Sequence, residues 1–396
     1  MVHSMIPEPQ RTYILELFKA LGPVADGFVV AGAQAMKFML SQARATKDID
    51  FVLDAVALRG EKHSIAEKLS ELGYTAVPGS QNFQFQKPIP ESNEVVRIEF
   101  MAPEELKREK DFRVDVQGGL HARACTGGSI ALAESNTYEL SGKLPDGSAF
   151  SAPIRVTKAH ALVMLKLLAV DDRYRNIRGA AEARHDREEA RTHAADIIAI
   201  TSAQVDMAGF RQDFENQFNS DPALGVRVLR ISDSYFRTST SPGLLIFEEH
   251  VVGGKPLDRV TRGEVSAEIA RAHRVMLGLL PPTAFFQLLA GIEDSCDLER
   301  SARPVEEFLS NLGGSGISIY SHNALEFIPT VVFGGAFSRG DKFVVSTSEL
   351  LGQLTETELA LARHHLSACA EPLAENEELT KRYVRAFRRA DPGKSV

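Results

Sequence analysis

Along the first half of the chain, apolar positions alternate between a helical and a strand-like period. Helical spacing occurs in QRTYILELFKALG, which ends at Gly22 and therefore predicts an amphipathic helix closed by a glycine. Short apolar runs predict buried strands in GFVVAG and DIDFVLD, and alternation predicts two more in FQFQK and EVVRIEFM. Helices are predicted between them in AQAMKFMLSQA and SIAEKLSELGY. This order predicts an α+β fold with a mixed sheet.

The pattern continues less regularly toward the end of the chain. A hairpin is predicted in YELSGKLPDGSAFSAPIRV, around the turn Pro145-Asp146-Gly147, and helices are predicted near residues 157–171 and 186–201. Beyond about residue 205 we predict a strand, turn and loop in LLIFEEHVVGGKPLDRV and a hairpin in TVVFGGAFSRGDKFVVS. Helices are predicted in VSAEIARAHRVMLGLL, PTAFFQLLAGI, PVEEFLSNLG, TETELALARHHLSACAE and EELTKRYVRAFRRA.

Length and composition set the broad class. A chain of 396 residues is too long for one ordinary core, so we predict two domains, residues 1–205 and a mainly helical domain at residues 206–396. The net charge of −8 argues against nonspecific coating of nucleic acid, although it leaves room for a local basic patch. The three cysteines form no CxxC motif, which fits a reducing cytosol, and no apolar run reaches membrane-spanning length. We therefore expect a soluble cytoplasmic protein without a membrane partner, of undetermined oligomeric state.

Acidic residues interrupt two of the predicted strands. Alternation puts Asp48 and Asp50 on one face of a strand, with Ile49 and Phe51 on the other. Glu99 holds the equivalent position in EVVRIEFM. If the two strands are neighbours, three carboxylates converge, and they repel one another unless a cation lies between them. Mg²⁺ prefers such oxygen ligands, and three acids on adjacent strands can hold two ions about 3.5–4 Å apart for phosphoryl displacement.

A Gly-Ala turn precedes these acids by one predicted helix. Gly32 and Ala33 lie between a strand and a helix, where small residues allow a ligand to approach the backbone closely. Free N–H groups at a helix start favour phosphate. A triphosphate at this turn, with magnesium on Asp48 and Asp50, would have its α-phosphorus near the metal ions.

These motifs resemble a known family. The order GAQAM, RATKDIDFVLD and RIEF is similar to the nucleotidyltransferase fold of the DNA polymerase β superfamily, and the R-x-T-x-D-I-D form resembles its bacterial branch that includes the AbiEii toxins. The resemblance covers about residues 10–205. It implies an N-terminal nucleotidyltransferase fold that binds an NTP and Mg²⁺. The acceptor in relatives is an RNA end, a protein side chain or a small molecule.

The resemblance also implies two contacts with the nucleotide. The segment KLLAVDDR is similar to a family helix whose lysine contacts the triphosphate, which corresponds to Lys166. Asp196 in THAADI matches the final acid of a later family helix, whereas Thr192 and His193 replace a Lys-Asp pair. Beside the acids, Lys47 is either a phosphate contact or a charge partner of Asp48.

We therefore predict a magnesium-dependent nucleotidyltransferase that transfers an NMP from an NTP to a hydroxyl. Asp48 and Asp50 would hold two Mg²⁺ ions, and Glu99 would bind the catalytic ion and help to deprotonate the acceptor. Gly32 and Ala33 would cradle the triphosphate.

Two alternatives remain open from the sequence. The same fold can serve as a non-catalytic module that binds a nucleotide or a partner, as in a toxin–antitoxin pair. Alternatively, His160, the pair His185-Asp186 and Asp196 on successive helices resemble the ligand set of HD-type metal phosphohydrolases, in which the metal activates water.

Overall fold

The structure is a computed structural model. It describes residues 6–40, 43–44, 46, 48–61, 64–107, 112–175, 182–253, 259–286, 289–290, 336–339, 343–346 and 354–375. The chain separates into two compact units, Met1–Phe214 with Ser234–Gly278 and Glu215–Asp233 with Leu279–Val396. The predicted domain boundary at residue 205 stays a prediction.

The described residues of the two units form eleven strands and twelve α-helices. The strands are β1 (Phe28–Val30), β2 (Asp48–Leu53), β3 (Thr75–Ala76), β4 (Gln84–Pro88), β5 (Val95–Pro103), β6 (Arg113–Gln117), β7 (Leu120–Cys125), β8 (Ser135–Lys143), β9 (Ala149–Thr157), β10 (Ala336–Arg339) and β11 (Phe343–Ser346). The helices are α1 (Gln10–Leu21), α2 (Gly32–Met36), α3 (Ala55–Arg59), α4 (Ile65–Glu71), α5 (Gly128–Ala133), α6 (Ala159–Arg175), α7 (Ala183–Ser202), α8 (Met207–Ser220), α9 (Pro222–Phe236), α10 (Pro242–Val252), α11 (Arg259–Leu277) and α12 (Glu356–Glu375).

A mixed sheet organises the first unit. Its main path runs β3-β4-β5-β2-β1-β9-β8, and β7 joins β5 and β6. Strand β2 is parallel to β5 and antiparallel to β1, and β1 is parallel to β9. The long β5 pairs with β4 through its first half and with β7 through its last residues. The predicted combination of helices with a mixed sheet is confirmed.

One face of this sheet is aromatic. Phe28, Phe51 and Phe100 come from three neighbouring strands, are completely buried, and have ring centroids 5.5–6.3 Å apart. Phe18 of α1 and Phe85 of β4 extend the cluster. Because side chains alternate along a strand, burial of these rings directs the residues between them to the opposite face.

The opposite face is apolar only toward the ends of β2 and β5. There Val52 and Met101 pack with Ala31 and with Ala131 of α5, and Leu165 of α6 packs against this cluster. Helix α6 packs against α7, which in turn contacts α10 and α11. These helices therefore lie on the acidic face of the sheet and supply the remaining polar groups of the candidate site.

Several predicted elements are confirmed. Helix α1 ends at Gly22, whose φ of 57° is left-handed, and β8 and β9 form the predicted hairpin around Gly147. Helices α4, α6, α7, α11 and α12 and the hairpin of β10 with β11 occur where the sequence predicts them. Residues 283–286 and 289–290 of the predicted helix PTAFFQLLAGI are also helical.

Two predicted elements are wrong in type or extent. LLIFEEHVV forms helix α10, not a strand, because Pro242 occupies the first helical turn and Gly253 ends the helix in a left-handed conformation. The helix predicted in AQAMKFMLSQA stops at Met36, where backbone bonds to the third preceding residue replace those of an α-helix. The helices predicted in PVEEFLSNLG and EELTKRYVRAFRRA lie outside the described residues.

None of the described helices combines the length and the apolarity that a membrane span needs.

Candidate active site

The three predicted acids lie together on one face of the sheet. In the parallel pair of β2 and β5, Asp50 is directly opposite Glu99, and Asp48 is opposite Arg97. Asp48 and Asp50 are two residues apart and therefore project from the same face. Asp48 is exposed, whereas Asp50 and Glu99 are half-buried. The structure thus brings together Asp48, Asp50 and Glu99.

Burial and nearby negative charge shift the pKa values of the two aspartates. Burial, and then the carboxylates of Glu99 and Asp48, raise the pKa of Asp50 to about 7. Burial also raises the pKa of Asp48, against the opposing effect of Arg97. Within the described residues, neither side chain accepts a hydrogen bond. Nearby cations therefore offset the negative charge of the pair only in part, and an added cation would favour the ionised form.

Glu99, in contrast, already has partners. Its Oε1 accepts from Nε of Arg123 at 2.6 Å, and its Oε2 accepts from Nε2 of Gln84 at 2.7 Å. Burial alone would lower the pKa of Arg123, but Glu99 raises it above the usual value. Sequence reasoning missed both partners, although the alternating segment LHARAC offered the signal of a strand carrying Arg123.

The predicted small-residue turn contacts Asp50 directly. Gly32 has a φ of 58°, and a Cβ atom at this position would lie 1.8 Å from Oδ2 of Asp50. The backbone N–H of Ala31 donates to the carbonyl oxygen of Asp50 at 2.9 Å. Ala33 is buried, with 1% exposure. Only a glycine fits at position 32, because any side chain there would occupy the space of the Asp50 carboxylate.

Lys166 and Asp196 form a buried ion pair between α6 and α7. Lys166 Nζ donates to Asp196 Oδ2 at 2.6 Å, and both side chains are 4% exposed. Arg44 Nε lies 3.2 and 3.3 Å from the two oxygens of Asp196. Burial would raise the pKa of Asp196, but Lys166 and Arg44 hold it below its usual value. Lys166 also acts electrostatically on Asp50.

His193 lies one turn before Asp196 on the same helix. Burial, and then the positive charge of Lys166, lower the pKa of His193 to about 3. Its Nδ1 is buried without a hydrogen-bond partner among the described residues. The imidazole therefore stays neutral at physiological pH. The predicted phosphate contact Lys47 lies outside the described residues.

The ligand set of the hydrolase alternative is dispersed over separate ion pairs. Asp186 binds Arg173 at 2.9 Å, His160 Nε2 lies 3.3 Å from Glu134, and Asp196 is taken by Lys166. His185 is exposed. Nothing in this part of the structure joins these residues into one site.

The three acids fit a divalent cation in their chemistry but not in their present arrangement. As the side chains stand, the described residues contain no group of three or more histidine, cysteine or acidic side chains able to hold a metal ion. The donor chemistry nevertheless suits a hard cation, since Asp48 and Asp50 offer oxygen ligands of raised pKa without hydrogen-bond donors. Glu99 can bind the ion only if it gives up its hydrogen bond with Arg123 or with Gln84.

Two comparisons with known proteins found no relative. Neither the models of known protein families nor the curated proteins contain a match to this chain. The functional interpretation therefore rests on the residues described above.

We predict that Gly32→Ala destabilises the protein through its contact with Asp50. Gly73→Ala is the matched control, since Gly73 has a similar φ of 83° but no atom within 4 Å of its added Cβ. The control should lose about 1–2 kcal/mol of unfolding free energy from left-handed strain alone. Gly32→Ala should lose a further 1–3 kcal/mol or so from overpacking, measured by urea unfolding. Equal losses, or an extra loss that persists in the Asp50→Ala background, would contradict the contact.

We also predict that His193 makes the protein less stable in mild acid. The unfolded chain protonates this histidine near pH 6.5, whereas the native pKa is about 3, so the unfolded state binds more protons below pH 6.5. Stability therefore falls as the pH falls from 7 to 5. His193→Gln should retain about 2 kcal/mol more at pH 5 than the parent, relative to pH 7, in urea titrations.

A control variant separates the effect of losing His193 from the effect of losing any histidine. His185→Gln alters an exposed position of the same helix and is the control. An unchanged pH slope in His193→Gln would contradict an imidazole that stays neutral in the native state.

Proposed function

We propose that this chain is a Mg²⁺-dependent nucleotidyltransferase that transfers an NMP from an NTP to an acceptor hydroxyl. The observation that carries the proposal is the register of β2 and β5, which sets Asp50 beside Glu99, with Asp48 on the same face and Gly32 against the Asp50 carboxylate. The proposal includes an N-terminal nucleotidyltransferase fold that is followed by a mainly helical domain. It also includes a cytoplasmic location.

The proposed reaction is an in-line displacement at phosphorus. The acceptor oxygen attacks the α-phosphorus, the bond from that phosphorus to the bridging oxygen of the β-phosphate breaks, and pyrophosphate leaves. The hydroxyl proton passes to a carboxylate and then to solvent. Bound Mg²⁺ would supply neutralisation of the phosphate charge and positioning of the attacking and leaving oxygens.

Each acid has a role consistent with its surroundings. Asp48 and Asp50 would hold the ions, because neither side chain accepts a hydrogen bond from the described residues. Glu99 would complete the set after exchange of a hydrogen-bond partner. The backbone at Gly32 and Ala33 would lie along the triphosphate.

Lys166 has a less direct role in this proposal. Its ammonium group is committed to Asp196, and it still lowers the charge of the site through its action on Asp50. Lys166 would therefore offset the charge of the triphosphate in one of two ways. It would act at a distance while still paired with Asp196, or it would exchange that carboxylate for a phosphate oxygen. Asp196 would set the position of the lysine.

A second candidate function is a non-catalytic module that binds a nucleotide or a partner. The observation in its favour is that Glu99 and Asp196 are both satisfied by protein cations, so the described acids form no ready metal site. Such a module would bind an NTP without transferring it. The acceptor in the enzymatic case is an RNA, a protein or a small molecule.

The transferase proposal predicts loss of label transfer when an acid is neutralised. The full chain would be incubated with each α-³²P-labelled NTP, Mg²⁺ and, in turn, total RNA, protein extract and a small-molecule extract. Asp48→Asn and Asp50→Asn should lower the rate of transfer by about 100-fold or more, because each removes a charge that stabilises the transition state.

Asp172→Asn is the matched control, since it makes the same chemical change at an exposed position on α6. It should leave transfer unchanged. Tight NTP binding without transfer to any acceptor would favour the non-catalytic module. Transfer that survives both acid substitutions would overturn the proposal.

A further inference from the structure

The guanidinium group of Arg123 lies at the edge of the acidic site and uses only part of its hydrogen-bonding capacity. Its Nε donates to Glu99 Oε1 at 2.6 Å, and its Nη2 lies 3.5 Å from the sulfur of Met101, which is a weak acceptor. Among the described residues, no oxygen accepts a hydrogen bond from Nη1 or Nη2. The side chain is 38% exposed. Most of its N–H donors therefore stay available to a ligand.

The cations near the acids differ in what they bind. Lys166 is committed to Asp196, which is buried. Arg97 is exposed, lies opposite Asp48 on the neighbouring strand and partly offsets its charge. In the described part of the chain, Arg123 is the cation that forms an ion pair with an acid of the predicted metal site. A ligand that changes the charge of this acid therefore also changes the position that Arg123 prefers.

A metal ion on Glu99 would release Arg123 in preference to Gln84. Both residues donate to the Glu99 carboxylate, and one of them has to give way. The ion repels the positive guanidinium, whereas the amide of Gln84 is neutral. Mg²⁺ in proteins is commonly held by one or two carboxylates together with phosphate oxygens of the substrate. A phosphate oxygen on the same ion would thus lie beside Glu99, within reach of the released arginine.

The chemistry of an arginine side chain suits this exchange. Its planar fork of donors matches the oxygens of a phosphate as well as those of a carboxylate. Arg123 also acts electrostatically on Asp50, so its charge is felt at both predicted ligands on β2 and β5. The negative charge of a triphosphate would attract the same guanidinium that the ion repels.

We propose that Arg123 is a phosphate-binding residue, which moves from Glu99 to the triphosphate when metal-bound NTP enters the site. The ion pair with Glu99 weakens the binding of a metal ion that arrives without phosphate. The exchange is a property of the ion pair itself, whereas its place in nucleotidyl transfer rests on the activity proposed above.

Removal of Arg123 should strengthen the binding of a metal ion alone. Arg123→Gln leaves Glu99 without its cation, so Mn²⁺ should bind the full chain about tenfold more tightly, measured by the electron paramagnetic resonance signal of free Mn²⁺. Arg11→Gln is the matched control, because Arg11 Nε donates to Glu8 Oε1 at 2.7 Å and α1 packs on the aromatic face of the sheet. Unchanged Mn²⁺ affinity in Arg123→Gln, or an equal gain in the control, would overturn the proposal.

Inorganic triphosphate in EDTA tests the phosphate contact without a metal ion. Glu99→Gln weakens the hold on Arg123, so triphosphate should bind about tenfold more tightly than to the parent by calorimetry. Most of this gain should disappear when Arg123→Gln is added. The four proteins form a double-mutant cycle, which removes the general effect of losing one carboxylate charge. A gain that persists in full without Arg123 would overturn the phosphate contact.

A lysine variant keeps the test valid if the glutamine variant does not fold. Thermal unfolding shows which variants are folded. Arg123→Lys retains a positive charge but loses the fork of donors, so both the Mn²⁺ affinity and the triphosphate affinity should fall between those of the parent and those of Arg123→Gln. If only the lysine variant folds, parent-like affinities for both probes would overturn the proposal.

The transfer assay separates this proposal from the proposed function. Arg123→Gln should raise the KM for the NTP by about tenfold, because a contact with the triphosphate is lost. Transfer that depends on Asp48, together with unchanged Mn²⁺ and triphosphate binding in Arg123→Gln, would overturn the role of Arg123 alone. The expected binding results without transfer to any acceptor would overturn the proposed function and leave the exchange standing.

Discussion

The parallel pairing of β2 with β5 is the constraint on which the rest of the site depends. This register sets two carboxylates side by side on a half-buried face, an arrangement that is unfavourable without compensation. The protein compensates one of them, Glu99, with Arg123 and Gln84. Asp50 has no such partner in the described part of the chain, and its pKa is raised to about 7. A bound cation would remove this difference between the two carboxylates.

The other face of the same strands explains how this arrangement persists. Aromatic rings from β1, β2 and β5 are completely buried there, and burial of a large aromatic side chain contributes several kcal/mol. A shift of register by one residue would expose the rings and bury the acids. The hydrophobic core therefore fixes the positions of the carboxylates. On the acidic side, the buried Lys166–Asp196 pair joins α6 to α7 and holds a positive charge behind Asp50.

The part of the site that depends on strand alternation could be predicted from the sequence. Alternation predicted that Asp48 and Asp50 share a face and that Glu99 joins them if its strand is a neighbour, and the glycine turn predicted a close approach of a ligand to the backbone. It did not predict the neutralisation of Glu99 by Arg123, because that contact depends on which strand lies beside β5. It misassigned α10, since a short apolar run has no period that separates a buried helix from a strand. The pairing of Lys166 with Asp196 likewise depends on the packing of two helices, which local pattern does not encode.

The central claim is that Asp48 and Asp50 together form a cation site beside the Gly32 turn. The most direct test is anomalous scattering from crystals of the full chain that have been soaked with Mn²⁺ and a non-hydrolysable NTP analogue. The account predicts an anomalous peak within coordination distance of both aspartates, with the triphosphate along the turn at residues 32–33. Ordered nucleotide elsewhere, or a peak that avoids both aspartates, would contradict it.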